Sequence, residues 1–283
     1  MSGMHPGIFA KTFARPTVEE TLDAVAAHGI RSVQFNMACA GLASMPDAID
    51  PALAERIARA CASRGIAMAA VSGTFNVIHP DERARADGMR RLDVLAGACA
   101  ALGTRVITMS TGTRDAENMW RRHPDNGSPG AWKDLCASME RAVRIAETHD
   151  VTLAFEPEVS NVVDSARKAR ALLDDIRSPR LRVVIDGANL FHAGELPRMR
   201  EILDEAFDLL GGDIALAHAK DLSRDGEAGH EAAGTGALDY DRYVALLHRA
   251  GYAGPLILHN LTEAQVPAAA AFLQDKLRAS RQT

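Results

Sequence analysis

The segment VTLAFEPE, residues 151–158, is an apolar run that ends in two acidic residues, with helical patterns before and after it. Consecutive apolar positions predict a strand that is buried on both faces, which is typical of a parallel sheet covered by helices. The next run of this kind, LRVVID (181–186), follows after one further helical segment. The strand and the acidic residues at its end therefore belong to a repeating β/α pattern.

Eight β-type runs occur along the chain: GIFAKTF (7–13), SVQFNM (32–37), AMAAVSGTF (67–75), RVITMS (105–110), VTLAFEPE (151–158), LRVVID (181–186), IALAHAKD (214–221) and PLILH (255–259). Between them, apolar residues recur at helical spacing, as in TVEETLDAVAAHG (17–29). Several helical segments end in glycine, which favours a C-terminal cap. They end at Gly29, Gly65, Gly103 and Gly251.

Eight strands that alternate with helices predict an α/β fold, namely a single (β/α)8 barrel that forms one domain over residues 1–283. A doubly wound open sheet is the alternative architecture for such a pattern. That alternative has less support, because no Gly-x-Gly-x-x-Gly follows the first strand and eight strands fit a closed barrel better.

Composition excludes several classes of function. The 283 residues are 47% hydrophobic, which is enough to bury one large core, and the net charge of -5 argues against a nucleic-acid surface. No basic and apolar leader stands at the N-terminus, and no apolar run reaches the ~20 residues that cross a bilayer. The four cysteines lack Cys-x-x-Cys spacing, so we expect reduced thiols in a cytoplasmic protein. The sequence leaves open whether the protein forms a homo-oligomer.

Four side chains that commonly bind metals stand at the ends of the last four predicted barrel strands: Glu156, Asp186, His218 and His259. They are spaced by 30, 32 and 41 residues, about one β/α unit each. Each residue alone is more often a helix cap, a surface ion pair or a core histidine. Because neighbouring strands lie about 4.8 Å apart and their ends meet at one mouth, the four together predict a metal site.

Three stretches of the chain, LAFEPE, VVIDGANLF and LAHAKDLSR, resemble the fifth, sixth and seventh strand signatures of the xylose isomerase-like TIM barrel superfamily. This superfamily contains sugar-phosphate isomerases and epimerases, ketose 3-epimerases and apurinic endonucleases. The resemblance implies that Glu156, Asp186 and His218 bind one divalent metal ion. It also implies contacts to the substrate by Asn189, three residues after the aspartate, and by Arg224, six residues after the histidine.

The eighth strand departs from the family pattern, which places a metal-binding and acid/base glutamate where this chain has His259. We expect His259 to take the fourth ligand position. Epimerisation at carbon needs a base and an acid on opposite faces of the substrate, so loss of one carboxylate favours a reaction with one base or none. Such reactions include aldose-ketose isomerisation, retro-aldol cleavage, β-elimination and decarboxylation of a keto sugar acid, each assisted by a metal ion. Glu158, on the same strand face as Glu156, is the candidate base, and its alternative role is to orient a ligand.

Two carboxylates and two imidazoles suit Mn(II) or Zn(II) best, with Co(II) or Fe(II) as further candidates, and suit Mg(II) less well. A non-haem iron triad is the weaker alternative, because a fourth protein ligand would compete for the open positions that dioxygen needs. Lys220 lies on the same strand face as His218 and is a candidate catalytic residue. Its alternative role is an ion pair with a carboxylate at the rim. The turn at 234–236 is a weak candidate for binding an anion.

The longest connections follow the fourth and seventh strands, at 111–130 and 222–239, on the side of the barrel where enzyme sites lie. They supply candidates for a lid or substrate rim: Trp120, Arg121, Arg122, His123, His230 and Glu231. Aromatic faces stack on sugar rings, and arginine binds anionic groups. A surface anchor or an oligomer contact is the alternative role for the tryptophan.

The leading hypothesis is a metal-dependent isomerase or epimerase that acts on a small sugar, sugar acid or keto derivative through an enediolate-like intermediate. A lyase or decarboxylase on the same scaffold and a non-catalytic sugar-binding barrel are the alternatives. An apurinic endonuclease would need further metal ligands on the second, third and fourth strands. Those strands end in polar uncharged residues instead: Gln34, Asn36, Ser72, Thr74, Thr108 and Ser110.

Overall fold

Eight parallel strands close into a barrel in the computed structural model, which describes residues 3–280. The barrel strands are β1 (His5–Phe9), β2 (Ser32–Phe35), β3 (Ala67–Ser72), β4 (Val106–Ser110), β5 (Thr152–Glu156), β6 (Leu181–Asp186), β7 (Ile214–Asp221) and β9 (Pro255–Leu258). Each strand pairs with the next along the chain, and β9 pairs with both β7 and β1, which closes the ring. The predicted (β/α)8 barrel is therefore confirmed.

A short ninth strand, β8 (Glu231–Ala232), pairs antiparallel with the end of β7. It lies within the long connection at 222–239 and folds that connection back over the mouth of the barrel. The connection at 111–130 is also partly regular, because it contains a 3₁₀ turn at Pro124–Gly127 and the first residues of the next helix.

Eight helices cover the outside of the barrel: α1 (Val18–Ala27), α2 (Pro51–Ala62), α3 (Glu82–Leu102), α4 (Pro129–His149), α5 (Ala166–Ile176), α6 (Met199–Leu210), α7 (Tyr240–Arg249) and α8 (Val266–Ala279). Side-chain oxygens of Thr17, Asp50 and Ser128 accept hydrogen bonds from the first turns of their helices. At the end of α3, Gly103 adopts the left-handed conformation with φ of 83°, which glycine adopts without steric cost. Helices and strands thus begin and end where local chemistry favours them.

Some strands are shorter than the apolar runs that predict them. The run at 32–37 is a strand only to Phe35, because the Asn36 side chain accepts a hydrogen bond from Ala38 N and begins a 3₁₀ turn. The first run is a strand over His5–Phe9, followed by a 3₁₀ turn at Ala10–Thr12. Both strands therefore end lower in the barrel than the apolar pattern suggests, which leaves space at the mouth.

An apolar layer fills the barrel interior below its mouth. Its side chains come from β3, β5, β6, β7 and β9: Ala70, Ala154, Val184, Leu216 and Ile257. Side chains on a strand return to the same face every second residue. The residues two positions further along these strands are Ser72, Glu156, Asp186, His218 and His259. The candidate metal-binding residues therefore lie directly above a closed hydrophobic floor.

Candidate metal centre at the barrel mouth

Glu156, Asp186 and His218 come together at the ends of three adjacent strands. Asp186 and His218 are register partners across β6 and β7. One donor atom from each of the three side chains lies within 4.8 Å of the other two. His218 Nδ1 lies 3.3 Å from Glu156 Oε1 and 3.7 Å from Asp186 Oδ2. Two carboxylate oxygens and one imidazole nitrogen thus converge on one small volume.

A hydrogen-bond chain from two other strands orients the His218 ring. His218 Nε2 lies 2.8 Å from Gln34 Oε1, and Gln34 Nε2 donates to Thr108 Oγ1 at 3.1 Å. Because the amide oxygen of Gln34 is an acceptor, it favours a proton on Nε2 and leaves the Nδ1 lone pair directed at the two carboxylates. A second hydrogen bond of this kind is the usual way in which a metal-binding histidine is oriented.

The Asp186 carboxylate is buried below the other donors and is only half satisfied. Its Oδ1 accepts a hydrogen bond from Ala188 N at 3.0 Å, whereas its Oδ2 has no hydrogen-bond partner among the described residues. A buried carboxylate oxygen is costly unless a cation compensates it, and the cation nearest to this oxygen is the Lys220 ammonium at 3.1 Å. Two carboxylates and an imidazole this close together are also the donor types that bind a divalent cation.

Lys220 also approaches the two carboxylates. Its Nζ lies 3.1 Å from Asp186 Oδ2 and 3.4 Å from Glu156 Oε1. Burial alone would lower the pKa of the Lys220 ammonium, but attraction to Asp186 and Glu156 outweighs burial and raises it above its ordinary value. Attraction to Lys220 and His218 likewise outweighs burial at Glu156 and lowers the pKa of that carboxyl, whereas burial raises the pKa of Asp186. The two carboxylates thus favour the charged form of Lys220.

His259 lies beside the three-residue cluster without belonging to it. Its ring is edge-on to His218, with 5.2 Å between ring centroids, and edge-on to Phe9 at 4.9 Å. The buried His259 Nδ1 has no hydrogen-bond partner among residues 3–280. Burial lowers the pKa of His259 well below its ordinary value, and the neighbouring Lys220 lowers it further. A lowered pKa favours the neutral ring, which is the form in which an imidazole binds metals.

The cluster forms part of the floor of a cavity of about 640 Å³. Glu156, Glu158, His218, Lys220 and His259 all line this cavity. Glu158 is buried, and burial raises the pKa of its carboxyl to about 7, against the opposing effect of Lys220. A carboxyl group with a pKa near neutrality can both accept and donate a proton at physiological pH.

Asn189 lies behind Glu156 rather than on the cavity surface. It is fully buried, its Nδ2 donates to Glu156 Oε1 at 2.6 Å, and its Oδ1 accepts from Gly229 N at 2.8 Å. A Cβ at Gly229 would lie 2.6 Å from that of Ala188, so the loop needs glycine at this close approach. Asn189 thus connects a metal-binding carboxylate to the loop that follows β7.

Of the predicted rim residues, Trp120 and His230 line the cavity. Arg224 is exposed and forms an ion pair with Glu227, and His123 caps the short turn that begins at Pro124 by accepting from Asp125 N. Among the described residues that line the cavity, neither Arg224 nor His123 is found. Their predicted contacts to a substrate stay predictions.

The sequence did not indicate the roles of several residues at this site. In the sequence Gln34 is a polar residue near the end of the second strand with no metal-ligand character, yet in the structure it orients His218 across the barrel. Phe9 and Lys11 line the cavity from the first strand and the turn that follows it. Their only signal in the sequence was their position at the end of β1, since every strand of a closed barrel ends at the same mouth.

The fold and the donor cluster define a class of protein: a parallel (β/α)8 barrel that carries the donor set for a divalent cation at its C-terminal mouth. The chain belongs to the xylose isomerase-like TIM barrel family, whose family model matches residues 22–276. The resemblance seen in strands five to seven is thereby confirmed. A comparison with curated proteins finds no match.

Solved structures share the whole fold at low sequence identity. An L-ribulose 3-epimerase has a TM-score of 0.77 and 18% identity, over 100% of this chain and 96% of that chain. The 3-keto-D-glucoside 4-epimerase YcjR from E. coli has a TM-score of 0.72 and 17% identity, over 100% of both chains. The IOLI protein with a bound zinc atom has a TM-score of 0.74 and 15% identity, over 98% of this chain and 99% of that chain. At these identities the likeness shows the fold.

Within residues 3–280, no helix combines the length and the apolar character that crossing a membrane requires.

Proposed function

We propose that the protein is a divalent-metal-dependent enzyme of the isomerase or epimerase type, acting on a small sugar, sugar acid or keto derivative. The observation that carries this proposal is the convergence of donor atoms of Glu156, Asp186 and His218 within 4.8 Å of one another, beside a cavity that Glu156 and His218 line. We assign these three residues as metal ligands and His259 as the fourth. Mixed oxygen and nitrogen donors favour Mn(II) or Zn(II).

A bound divalent ion would polarise a carbonyl and an adjacent hydroxyl of the substrate and so stabilise an enediolate-like intermediate. In this proposal Glu158 removes the proton on the carbon next to the carbonyl and returns it to the former carbonyl carbon, while the hydroxyl proton of the first carbon passes to the former carbonyl oxygen. Its pKa of about 7 matches that dual task. Lys220 donates a hydrogen bond to a substrate oxygen on which negative charge develops, while its ion pairs hold Glu156 and Asp186 in place.

The proposal follows a single-base reaction because the eighth strand supplies an imidazole rather than a second carboxylate. Proton transfer by one base on one face of an enediolate interconverts an aldose and a ketose. Structural similarity to an L-ribulose 3-epimerase and to a 3-keto-D-glucoside 4-epimerase supports a carbohydrate substrate, and similarity to a zinc-containing protein supports a metal ion.

The test combines metal binding with isotope exchange. We expect the wild-type protein to bind one Mn(II) or Zn(II) per chain and to exchange an α-hydrogen of a sugar or keto sugar for deuterium in D2O. Glu158→Gln keeps the metal but slows exchange by about a hundredfold or more, the size of a general-base contribution. Glu156→Gln weakens metal binding itself. A protein that binds no divalent metal, or a Glu158→Gln variant with unchanged exchange, contradicts the assignment.

A lyase or decarboxylase acting on a keto sugar acid is the second candidate, because His259 replaces the second carboxylate that a two-base epimerase needs. Decarboxylation needs the same polarised carbonyl but no base at the α-carbon. Release of CO2 or of a shorter carbonyl product, with turnover retained in Glu158→Gln, would favour this candidate over isomerisation.

A further inference from the structure

Trp120 stands out among the described residues as a large apolar side chain that is 56% exposed. It follows β4 and lines the mouth of the cavity next to Met119. Both sit on the loop that leads to α4. Because this exposed indole stands at the edge of a polar cavity, its face is available to a ligand bound there.

The loop holds Trp120 in a defined position. Trp120 N donates to Asn118 Oδ1 at 3.0 Å, and Asn118 N donates to Asp115 Oδ1 at 2.8 Å. Asp115 also forms an ion pair with Arg121, and Thr113 Oγ1 donates to the carbonyl oxygen of Arg121 at 2.9 Å. Hydrogen bonds therefore fix the loop on both sides of the tryptophan. A side chain carried by a fixed backbone has fewer degrees of freedom to lose when a ligand stacks on it.

The cavity is larger than one sugar ring requires. Its volume of about 640 Å³ corresponds to roughly 20 water molecules at about 30 Å³ each, and one pentose or hexose ring fills less than half of it. The groups that can bind a metal or move a proton lie on the floor, and Met119 and Trp120 lie at the mouth. The site thus has a polar inner part and an outer part with an aromatic wall.

The charges of the cavity favour a neutral group in the outer part. Among the described lining residues, the lysines and acidic residues are Lys11, Lys220, Glu156, Glu158 and Glu227, so the acidic groups outnumber the ammonium groups. A phosphate group would require a cluster of cations there, and Lys220 is already paired with two carboxylates.

We propose that the substrate is a conjugated sugar, a glycoside in which the reacting sugar lies on the floor and a second, uncharged ring stacks on Trp120. This inference rests on the proposed function and refines its substrate class. The second ring is either another sugar or a planar aromatic group, because both present a flat face that an indole binds.

Fluorescence can test the stacking directly, because the chain has two tryptophans. Trp132 is half-buried, with its Nε1 donating to Asp175 Oδ2 at 3.0 Å, so Trp132→Phe leaves Trp120 as the sole reporter. The probes are glucose and xylose, their phenyl β-glycosides, and cellobiose and xylobiose, each with Mn(II). In Trp132→Phe, we expect at least one two-ring compound to quench or shift the fluorescence of Trp120. In Trp120→Phe, where Trp132 is the remaining tryptophan, we expect no change in fluorescence with any of these compounds.

Calorimetry gives the affinities that decide the proposal. The affinity ratio of the two-ring compound to its free sugar should fall about three- to tenfold in Trp120→Ala and stay unchanged in Trp132→Phe. Phenyl glycosides and disaccharides distinguish an aromatic from a carbohydrate second ring.

The inference is overturned if the affinity ratio of the two-ring compound to its free sugar is unchanged in Trp120→Ala, or if glucose 6-phosphate binds more tightly than every two-ring probe. It is also overturned if Trp120 fluorescence depends on protein concentration in the absence of sugar, because that would assign the tryptophan to a contact between copies. Failure of the metal-binding and exchange assays instead refutes the proposed function, and those assays are run on the same samples.

Discussion

Replacement of Lys220 by methionine tests how charge is balanced at the candidate metal centre. Lys220→Met keeps the length of the side chain and removes an ammonium that lies 3.1 Å from Asp186 Oδ2 and 3.4 Å from Glu156 Oε1. Opposite unit charges 4 Å apart attract by about 4 kcal/mol at an effective dielectric constant near 20, before desolvation is subtracted. Removal of one partner from a buried ion pair costs about 3–5 kcal/mol.

Two opposite effects follow. In EDTA, the free energy of unfolding of Lys220→Met should fall by about 3–5 kcal/mol, because two buried carboxylates lose their compensating charge. A divalent ion bound to the same carboxylates would lie close to the ammonium, so removal of Lys220 should tighten metal binding about ten- to hundredfold, or about 1.4–2.8 kcal/mol. The difference in stability between wild type and variant should therefore shrink when Mn(II) is added.

Urea denaturation in EDTA and in excess Mn(II), together with direct titration of Mn(II), measures both effects. Lys168→Met is the matched control, since Lys168 pairs with Asp164 at the surface at 2.9 Å and its loss should cost less than about 1 kcal/mol in either condition. If Lys220→Met matched the wild type in EDTA and bound Mn(II) equally, the ammonium would not compensate these carboxylates and the description of the site would be wrong.

Three further predictions concern positioning, alkaline stability and packing. Asn189→Ala should weaken Mn(II) binding about tenfold or more, because the amide that orients the β5 carboxylate is lost; calorimetry measures this, and an unchanged affinity would contradict the positioning role. Burial raises the pKa of the Cys99 thiol to about 12, so its contribution to stability is complete below about pH 9, the range in which the unfolded thiol titrates, and is lost as the pH rises towards 12. Urea denaturation from pH 8 to 11 should show similar slopes up to about pH 9, and above it wild-type stability falling faster than that of Cys99→Ala by up to about 1.4 kcal/mol per pH unit; parallel curves throughout would refute this. In α3, a Cβ at Gly88 would overlap the Phe75 ring, whereas the nearest atom to a Cβ at Gly97 lies 3.4 Å away. Thermal denaturation should therefore show that Gly88→Ala is destabilised by about 1–3 kcal/mol and that Gly97→Ala is stabilised by about 0.3–1 kcal/mol. The reverse order of stability would show that Gly88 of α3 does not pack against Phe75.

Local patterns were sufficient to predict most of the fold. Apolar runs, helical spacing and glycines at helix ends are properties of short segments, and eight repeats of one pattern have few ways to pack. The ends of individual strands were less predictable. The strand at 32–37 stops at Phe35 because a side chain competes with the sheet for a backbone N–H, and the apolar pattern does not register that competition.

The sequence also placed Glu156, Asp186, His218 and His259 at one mouth, because side chains at the ends of parallel barrel strands must face the same end of the barrel. Alternation along β7 was enough to put Lys220 on the same face as His218. Glu158 instead lies two residues beyond the end of β5, so the predicted strand at 151–158 is too long, and Glu158 lines the cavity from the loop that follows β5. What the sequence determined, therefore, is which chemical groups meet.

Only the tertiary structure decided how those groups are arranged. Gln34 and His218 are 184 residues apart and meet across the closed barrel, and Asn189 reaches Gly229 through a loop whose path no local pattern specifies. The pKa of Glu158, the ion pair of Lys220 with Asp186 and the exposed face of Trp120 depend in the same way on burial and on neighbours from distant segments. Hydrogen-bond geometry and desolvation act through space over a few ångströms, and the order of residues along the chain does not encode those distances until the barrel has closed.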